Sequence, residues 1–198
     1  MKTVSLITLL NEIKGCDLCK QELPFGANPI VQASKEAELL IIGQAPGIRV
    51  HESGIPWNDA SGNRLREWLE ISPEDFYNPN KIAIMPMGFC YPGRGQSGDL
   101  PPSRLCAPTW HQQLLDQLPN IKTVLLIGIY AQNYYLADTP FLKRYKTLTE
   151  RVKAVNDCPA PFFVLPHPSP RNQGWLKKNP WFESDTLTVI RKQLHSNH

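Results

Sequence analysis

The chain has 198 residues, a mass of 22.4 kDa and a formal net charge of +3, which fits one domain with a substantial core. Hydrophobic residues make up 41% and charged residues 20%, a composition that excludes general disorder. The sequence has no apolar run long enough for a transmembrane helix and its N-terminus is a poor secretion signal, so a cytoplasmic protein without membrane contact is expected.

Apolar periodicity predicts helices alternating with buried strands. In chain order, the predicted elements are a helix over 3–14, a strand over 38–43, a helix over 63–71, a strand over 81–85, a helix over 107–118, a strand over 123–128, one or two helices within 129–155, a strand over 161–165 and a helix over 182–194. This alternation predicts an α/β fold of three layers, α/β/α, around a central, mainly parallel four-stranded sheet. Residues 1–198 are expected to form one domain.

Three of the four predicted strands run directly into unusual loops. The first enters a Pro/Gly-rich turn, the second enters the long segment 86–106, and the fourth enters the proline-rich segment 166–172. Ligands bind beyond the carboxyl ends of parallel strands, so these loops are expected to share one face. A loop as long as 86–106 is either functional or disordered in a domain of this size.

The residues of these loops resemble known motifs. The first loop reads Gly43-Gln44-Ala45-Pro46-Gly47, the last reads His167-Pro168-Ser169-Pro170-Arg171-Asn172, and between them stands Pro56-Trp57-Asn58-Asp59-Ala60-Ser61-Gly62. Together they resemble the uracil-DNA glycosylase superfamily over most of the chain. The chain resembles a divergent iron–sulfur-type member whose last motif is similar to that of the single-strand-selective monofunctional branch.

The resemblance implies a DNA repair enzyme of base excision repair. The expected reaction is hydrolysis of the N-glycosidic bond of uracil or another deaminated base in DNA. No lysine stands in the motifs where a Schiff-base lyase would need one, so a monofunctional enzyme is expected. The expected partner is DNA that contains a damaged base, and a monomer is expected.

The resemblance also assigns roles to particular residues. His167 is the first candidate for the donor that stabilises the anionic leaving base, and Trp57 would stack on the extruded base, although a core tryptophan is the alternative. Gly43, Ala45, Pro46 and Gly47 would form the floor of the base site with Gln44. Ser169, Arg171 and Asn172 would bind the DNA backbone, and Arg171 could fill the space that the base leaves.

The residue that activates water is harder to assign. Many superfamily members carry a carboxylate or asparagine in the first motif, where this chain has Gln44, which can orient a water but cannot take its proton. Asp59 matches the aspartate that other branches use, and a helix N-cap is its equally weighted alternative role. Gln44 and Asp59 therefore join His167 as catalytic candidates.

The segment after the second strand departs from the family pattern. The superfamily often has an asparagine here that reads the pyrimidine edge, whereas this chain has Met85-Pro86-Met87-Gly88. Backbone groups of residues 87–89 are expected to substitute, and otherwise the uracil preference is relaxed. The departure supports an alternative function, a catalytically silent nucleic-acid-binding module that keeps the fold.

Four of the five cysteines form two pairs. Cys16 and Cys19 are separated by two residues, and Cys90 and Cys106 flank the proline-rich loop. Two such pairs can supply four metal ligands, and the spacing alone allows zinc, an iron–sulfur cluster or simply buried thiols. The family resemblance favours a [4Fe-4S] cluster with a mainly structural role. Besides the DNA glycosylase and the nucleic-acid-binding module, a third hypothesis is a cysteine- or zinc-dependent hydrolase that uses Cys90 with His167.

Overall fold

Four parallel strands form the centre of the structure, a computed structural model that describes residues 5–196. The strands are β1 (Leu39–Ile42), β2 (Ile82–Ile84), β3 (Thr123–Ile127) and β4 (Phe162–Leu165). They are ordered β2-β1-β3-β4, and every neighbouring pair is parallel. The predicted parallel four-stranded sheet is therefore confirmed, and each strand lies inside the apolar run that predicted it.

The helices are mostly short. The α-helices of the described residues are α1 (Leu6–Lys14), α2 (Ile48–Ser53), α3 (Ala60–Leu69), α4 (Pro73–Phe76), α5 (Cys106–Leu115), α6 (Ile129–Tyr135), α7 (Pro140–Arg144), α8 (Leu148–Lys153), α9 (Gln173–Lys178) and α10 (Leu187–His195). Three 3-10 turns and one π-helical segment complete them: Lys20–Glu22, Val155–Asp157, Pro170–Asn172 and Phe182–Thr186. None of the helices in residues 5–196 is long and apolar enough to cross a membrane.

Alternate strand residues face two separate apolar layers, because successive side chains of a strand point to opposite faces. Leu40 and Ile42 of β1 pack with residues of α1, α5, α6 and α7. Leu39 and Ile41 pack with residues of α3, α4, α8 and α10. The three-layer α/β/α arrangement predicted from the sequence is confirmed.

Several helix predictions need correction. The segment 129–155 holds three α-helices rather than one or two, and α2, α4 and α9 were not predicted. Helix α3 begins at Ala60, before the predicted residue 63, because the Asp59 side chain caps it there. The closing helix contains a π-helical segment, and residues 3 and 4 of the first predicted helix lie outside the described residues.

The loop after β2 has no helix or strand between β2 and α5, yet hydrogen bonds hold it in place. Gly95 N donates to Gly98 O at 2.6 Å and Leu100 N donates to Gly93 O at 2.9 Å, which closes a tight turn over residues 93–100. Ile30 N donates to Phe89 O at 2.8 Å and attaches the start of the loop to the segment before β1. The structure therefore shows this loop as ordered by hydrogen bonds rather than disordered.

Candidate active site

A cavity of about 430 Å³ opens at the carboxyl edge of the sheet. The loops after β1, β2 and β4 meet there with the segment that precedes α3. The cavity contains every catalytic and substrate-binding residue that the sequence predicted: Gly43, Gln44, Ala45, Pro46, Gly47, Trp57, Asp59, His167, Ser169, Arg171 and Asn172. Segments more than one hundred residues apart in the chain thus form one slot.

Trp57 lies against the end of β1. A Cβ atom on Gly43 would stand 2.7 Å from Trp57 Cζ2, so only glycine allows the indole to lie this close to the strand end. Trp57 itself has a φ of +57°, a backbone conformation that residues other than glycine rarely adopt. Strain of this kind is kept where the surrounding structure enforces it, and here it aims the indole into the cavity.

His167 follows β4 and faces Trp57. The two ring centroids are 5.6 Å apart and the ring planes are inclined by 32°. The backbone of His167 is fixed by Asn172, whose Nδ2 donates to His167 O at 2.7 Å. Burial lowers the pKa of His167, and the nearby Asp59 carboxylate opposes part of that shift. The imidazole is therefore neutral near pH 7, so one ring nitrogen carries a hydrogen that it can donate.

Asp59 serves two neighbours with its two oxygens. Its Oδ1 accepts a hydrogen bond from Gly62 N at 2.8 Å and caps α3, which is one of the two roles predicted for Asp59. Its Oδ2 faces the first loop, 3.8 Å from where a Cβ of Gly47 would stand. The N-cap role is thus present in the structure, and it leaves one carboxylate oxygen directed at the cavity.

The other residues of the last motif mainly order the site itself. Ser169 Oγ accepts from Arg171 N at 3.2 Å, and Ser169 O accepts from Arg64 Nη1 at 3.1 Å, which ties this loop to α3. Arg171 Nη1 donates to Ser97 O at 2.8 Å. The Arg171 side chain therefore lies across the rim of the cavity and joins the last motif to the loop after β2.

The backbone N–H groups of residues 87–89, which were among the backbone groups expected to contact the base, are engaged within the protein. Met87 N donates to Gly43 O at 2.9 Å and Gly88 N donates to Gln44 O at 3.0 Å. Phe89 N donates to Cys106 Sγ at 3.3 Å. These three donors are already satisfied within the protein and hold the loop after β2 beside the first motif.

The sequence analysis missed one part of the site. Ser97, Gly98 and Asp99, from the tight turn in the loop after β2, line the cavity. The signal available in the sequence was a single aspartate within a Gly/Pro-rich loop, which is too common to single out. The Gln44 side chain reaches the same loop, with a 3.4 Å hydrogen bond from Nε2 to Leu100 O.

A protein-family model matches most of the chain. The model of the "Uracil DNA glycosylase superfamily" matches residues 31–191 of the 198-residue chain. The match includes all four strands and all three loops of the cavity.

The chain belongs to the uracil-DNA glycosylase superfamily. This membership makes DNA the expected substrate and a DNA glycosylase the general class of enzyme. Trp57 and His167 therefore face each other in the cavity of a uracil-DNA glycosylase fold.

A second, smaller cavity brings together the four paired cysteines of this superfamily member. Cys16, Cys19, Cys90 and Cys106 all line it, beside Trp110, two prolines and one glycine. Burial raises the pKa of the Cys90 thiol to about 11 and that of Cys106 to about 12. The fifth thiol, Cys158, lies apart and packs against the core, as expected for a residue without a ligand role.

The cysteine cavity joins three parts of the chain. Cys19 Sγ lies 2.9 Å from Ser103 Oγ, which connects the N-terminal segment to the loop after β2. No group of three or more His, Cys, Asp or Glu side chains in residues 5–196 is placed to hold a metal ion. The thiols therefore share a cavity, but their placement alone does not define a metal site.

Proposed function

We propose that this superfamily member is a DNA repair glycosylase that hydrolyses the N-glycosidic bond of uracil or another deaminated base, without strand cleavage. One observation carries the proposal: Trp57, His167 and Asp59 line the same cavity of about 430 Å³. A slot of this kind suits one nucleobase taken out of the helical stack.

The chemistry places an anion on the base and cationic character on the sugar as the glycosidic bond breaks. Trp57 would stack on the base and contribute roughly 1–3 kcal/mol to binding, with little selectivity among bases. His167, neutral because burial lowers its pKa, would donate a hydrogen bond to the carbonyl oxygen on which the negative charge develops. Asn172 supports this role because it fixes the His167 backbone.

Asp59 supplies negative charge where the sugar becomes cationic. Its Oδ1 is held by Gly62 N, so the direction of the carboxylate is fixed before substrate arrives. Preorganised charge of this kind stabilises a transition state more than it stabilises the ground state. Gln44, in the first motif, lines the same cavity and can orient a water molecule there.

We further propose that the chain is an iron–sulfur-type member and that Cys16, Cys19, Cys90 and Cys106 hold a [4Fe-4S] cluster. Four cysteines that line one cavity support this, because such clusters are bound by four cysteine thiolates. When bound, the cluster would cross-link the N-terminal segment to the loop after β2, which has little regular structure of its own. A zinc ion is the alternative occupant.

Activity is tested with oligonucleotides that carry uracil, hypoxanthine or xanthine, single- and double-stranded, followed by hot alkali to cleave abasic sites. The expected result is an abasic site on at least one substrate and no strand break before alkali. His167→Ala should reduce the single-turnover rate roughly 10²–10³-fold, as loss of a preorganised donor does. An inactive wild-type protein on all substrates would favour the nucleic-acid-binding module.

The metal content is tested on anaerobically purified protein by iron, sulfide and zinc analysis. A cluster gives about four irons per chain and visible absorption, whereas zinc gives about one metal and no colour. Cys90→Ser should lose the metal, and the matched control Cys158→Ser should retain it. Metal-free wild-type protein would overturn both assignments of the cysteines.

A further inference from the structure

Asp99 lines the proposed base site from a turn that is held by hydrogen bonds. The turn over residues 93–100 is closed by two backbone hydrogen bonds, and Arg94 and Asp99 form a bridge across it. Arg171 Nη1 holds Ser97 O at 2.8 Å, which fixes the turn against the last motif. Asp99 is exposed at the rim, and its side chain is part of the cavity lining.

Two carboxylates meet at one backbone position. A Cβ atom on Gly47 would stand 3.5 Å from Asp99 Oδ2 and 3.8 Å from Asp59 Oδ2. Both oxygens therefore lie within 4 Å of a single point, in space that is open because residue 47 has no side chain. Because Gly47 and both carboxylates line the same cavity, a water molecule in the cavity beside Gly47 can lie between the two carboxylates.

The two carboxylates differ in what they already bind. Asp59 Oδ1 accepts the cap hydrogen bond from Gly62 N. The Asp99 carboxylate accepts no hydrogen bond from any residue in the range 5–196. Partial burial of the carboxyl group raises the pKa of Asp99, the Arg171 and Arg94 guanidinium groups oppose the shift, and Asp59 adds to it. Asp99 is thus the carboxylate whose surroundings favour uptake of a proton.

We propose that Asp99 is a further catalytic residue of this glycosylase: its carboxylate takes the proton of the water that attacks the sugar. The inference rests on the proposed glycosylase function. The water oxygen bonds to C1′ of the deoxyribose as the bond from C1′ to the base nitrogen breaks. The electron pair of that bond leaves with the base, which His167 stabilises, and the water proton moves to Asp99 while Asp59 remains the oriented negative charge.

The role of Asp99 answers a gap in the first motif. Gln44 stands where many members carry a group that acts on water, and an amide cannot take a proton. Here a carboxylate reaches the same floor from the loop after β2, across Gly47. The carboxylate that the first motif does not have is thus supplied by the loop after β2.

The experiment compares Asp99→Asn with wild type in single-turnover reactions on the best substrate of the oligonucleotide panel. Loss of a general base should slow the reaction roughly 10²–10⁴-fold, while the affinity for a non-cleavable oligonucleotide stays within about threefold of the wild-type value. Asp138→Asn, an exposed aspartate outside the cavity, is the matched control and should leave the rate unchanged.

Two further variants keep the test decisive if Asp99→Asn is unstable. Gly47→Ala retains both carboxylates but fills the point between them, so it should also slow the reaction strongly. In Asp99→Ala, added formate should restore part of the rate, because a small carboxylate can replace the missing base, and it should not rescue His167→Ala. An active wild-type enzyme whose Asp99→Asn variant keeps its rate overturns this role alone, whereas an inactive wild type overturns the glycosylase function and this role together.

Discussion

Asp59 shows how one side chain can belong both to the fold and to the site. Its Oδ1 caps α3 through Gly62 N, and its Oδ2 faces the cavity across Gly47. Sequence reasoning presented these as competing roles, because a one-dimensional pattern cannot show where each oxygen points. The structure makes them compatible, since a helix cap needs only one of the two oxygens.

The two roles of Asp59 are separable by substitution. Asn caps helices about as well as Asp, so Asp59→Asn should leave the free energy of unfolding nearly unchanged and lower only the glycosylase rate. Asp59→Ala removes the cap as well and should lose about 1 kcal/mol of stability in addition. Urea unfolding combined with single-turnover rates checks this. Equal stability of the Asn and Ala variants would show that the cap contributes nothing measurable.

At the scale of elements, the start of α3 and the strained Trp57 backbone depend on each other. A Cβ on Gly62 would stand 1.7 Å from Trp57 O, so the first turn of α3 lies directly against the backbone that carries the indole. Tyr77 Oη donates to the same carbonyl at 3.4 Å. The position of Trp57 in the cavity is therefore set by a helix that begins three residues later.

Gly62 is consequently expected to resist substitution. Gly62→Ala forces the added methyl group against the Trp57 backbone, and overpacking of this kind should cost about 1–3 kcal/mol of stability and displace Trp57. Gly174→Ala in α9 is the matched control, because a Cβ there meets nothing within 4 Å; its helix propensity should leave stability unchanged or raise it by about 0.5 kcal/mol. Thermal unfolding and tryptophan fluorescence check both variants, and equal effects at the two glycines would contradict the steric argument.

The accuracy of the sequence predictions followed the physics of each element. The four strands are short apolar runs, fully buried in β1, β2 and β3 and half-buried at the start of β4, and all four were predicted. The segment 129–155 was read too coarsely, although Thr139-Pro140 and the Thr147–Glu150 capping box mark two helix starts. The turn with Asp99 has no periodicity, so only the folded chain reveals that it enters the cavity.

At the scale of the whole molecule, the strand order explains how the site forms. His167 follows the edge strand β4, whereas the first motif follows β1, and β3 lies between them. The chain leaves β3 at Gly128, with φ +83°, and a Cβ there would stand 3.8 Å from His167 Cβ. The positive φ accounts for a glycine at the end of the intervening strand, and His167 lies directly beside it. The sequence predicts that the loops share one face, but strand order is a property of the folded sheet.

His111 connects two helices to the floor of the site and is buried almost completely, with 1% of its surface exposed. Its Nε2 donates to Pro86 O at 3.1 Å, so in the neutral ring Nδ1 accepts from Tyr135 Oη at 2.6 Å. Pro86 itself lines the base cavity. The neutral imidazole therefore suits both partners, whereas a protonated imidazole would be buried beside two uncharged groups.

Acid should destabilise the whole protein through His111. Burial lowers its pKa from 6.5 to about 4, so between these values the unfolded chain binds a proton that the native protein does not. The free energy of unfolding is therefore unaffected by this histidine well above pH 6.5 and decreases as the pH falls toward 4. The decrease amounts to about 2 kcal/mol at pH 5. His111→Gln should remove that part of the pH dependence, measured as the difference in urea unfolding free energy between pH 7 and pH 5 (~2 kcal/mol smaller than in wild type). His195→Gln, at an exposed histidine in α10, should retain the wild-type difference. If wild type and His111→Gln lose the same free energy between the two pH values, the neutral histidine beneath the site does not link stability to pH.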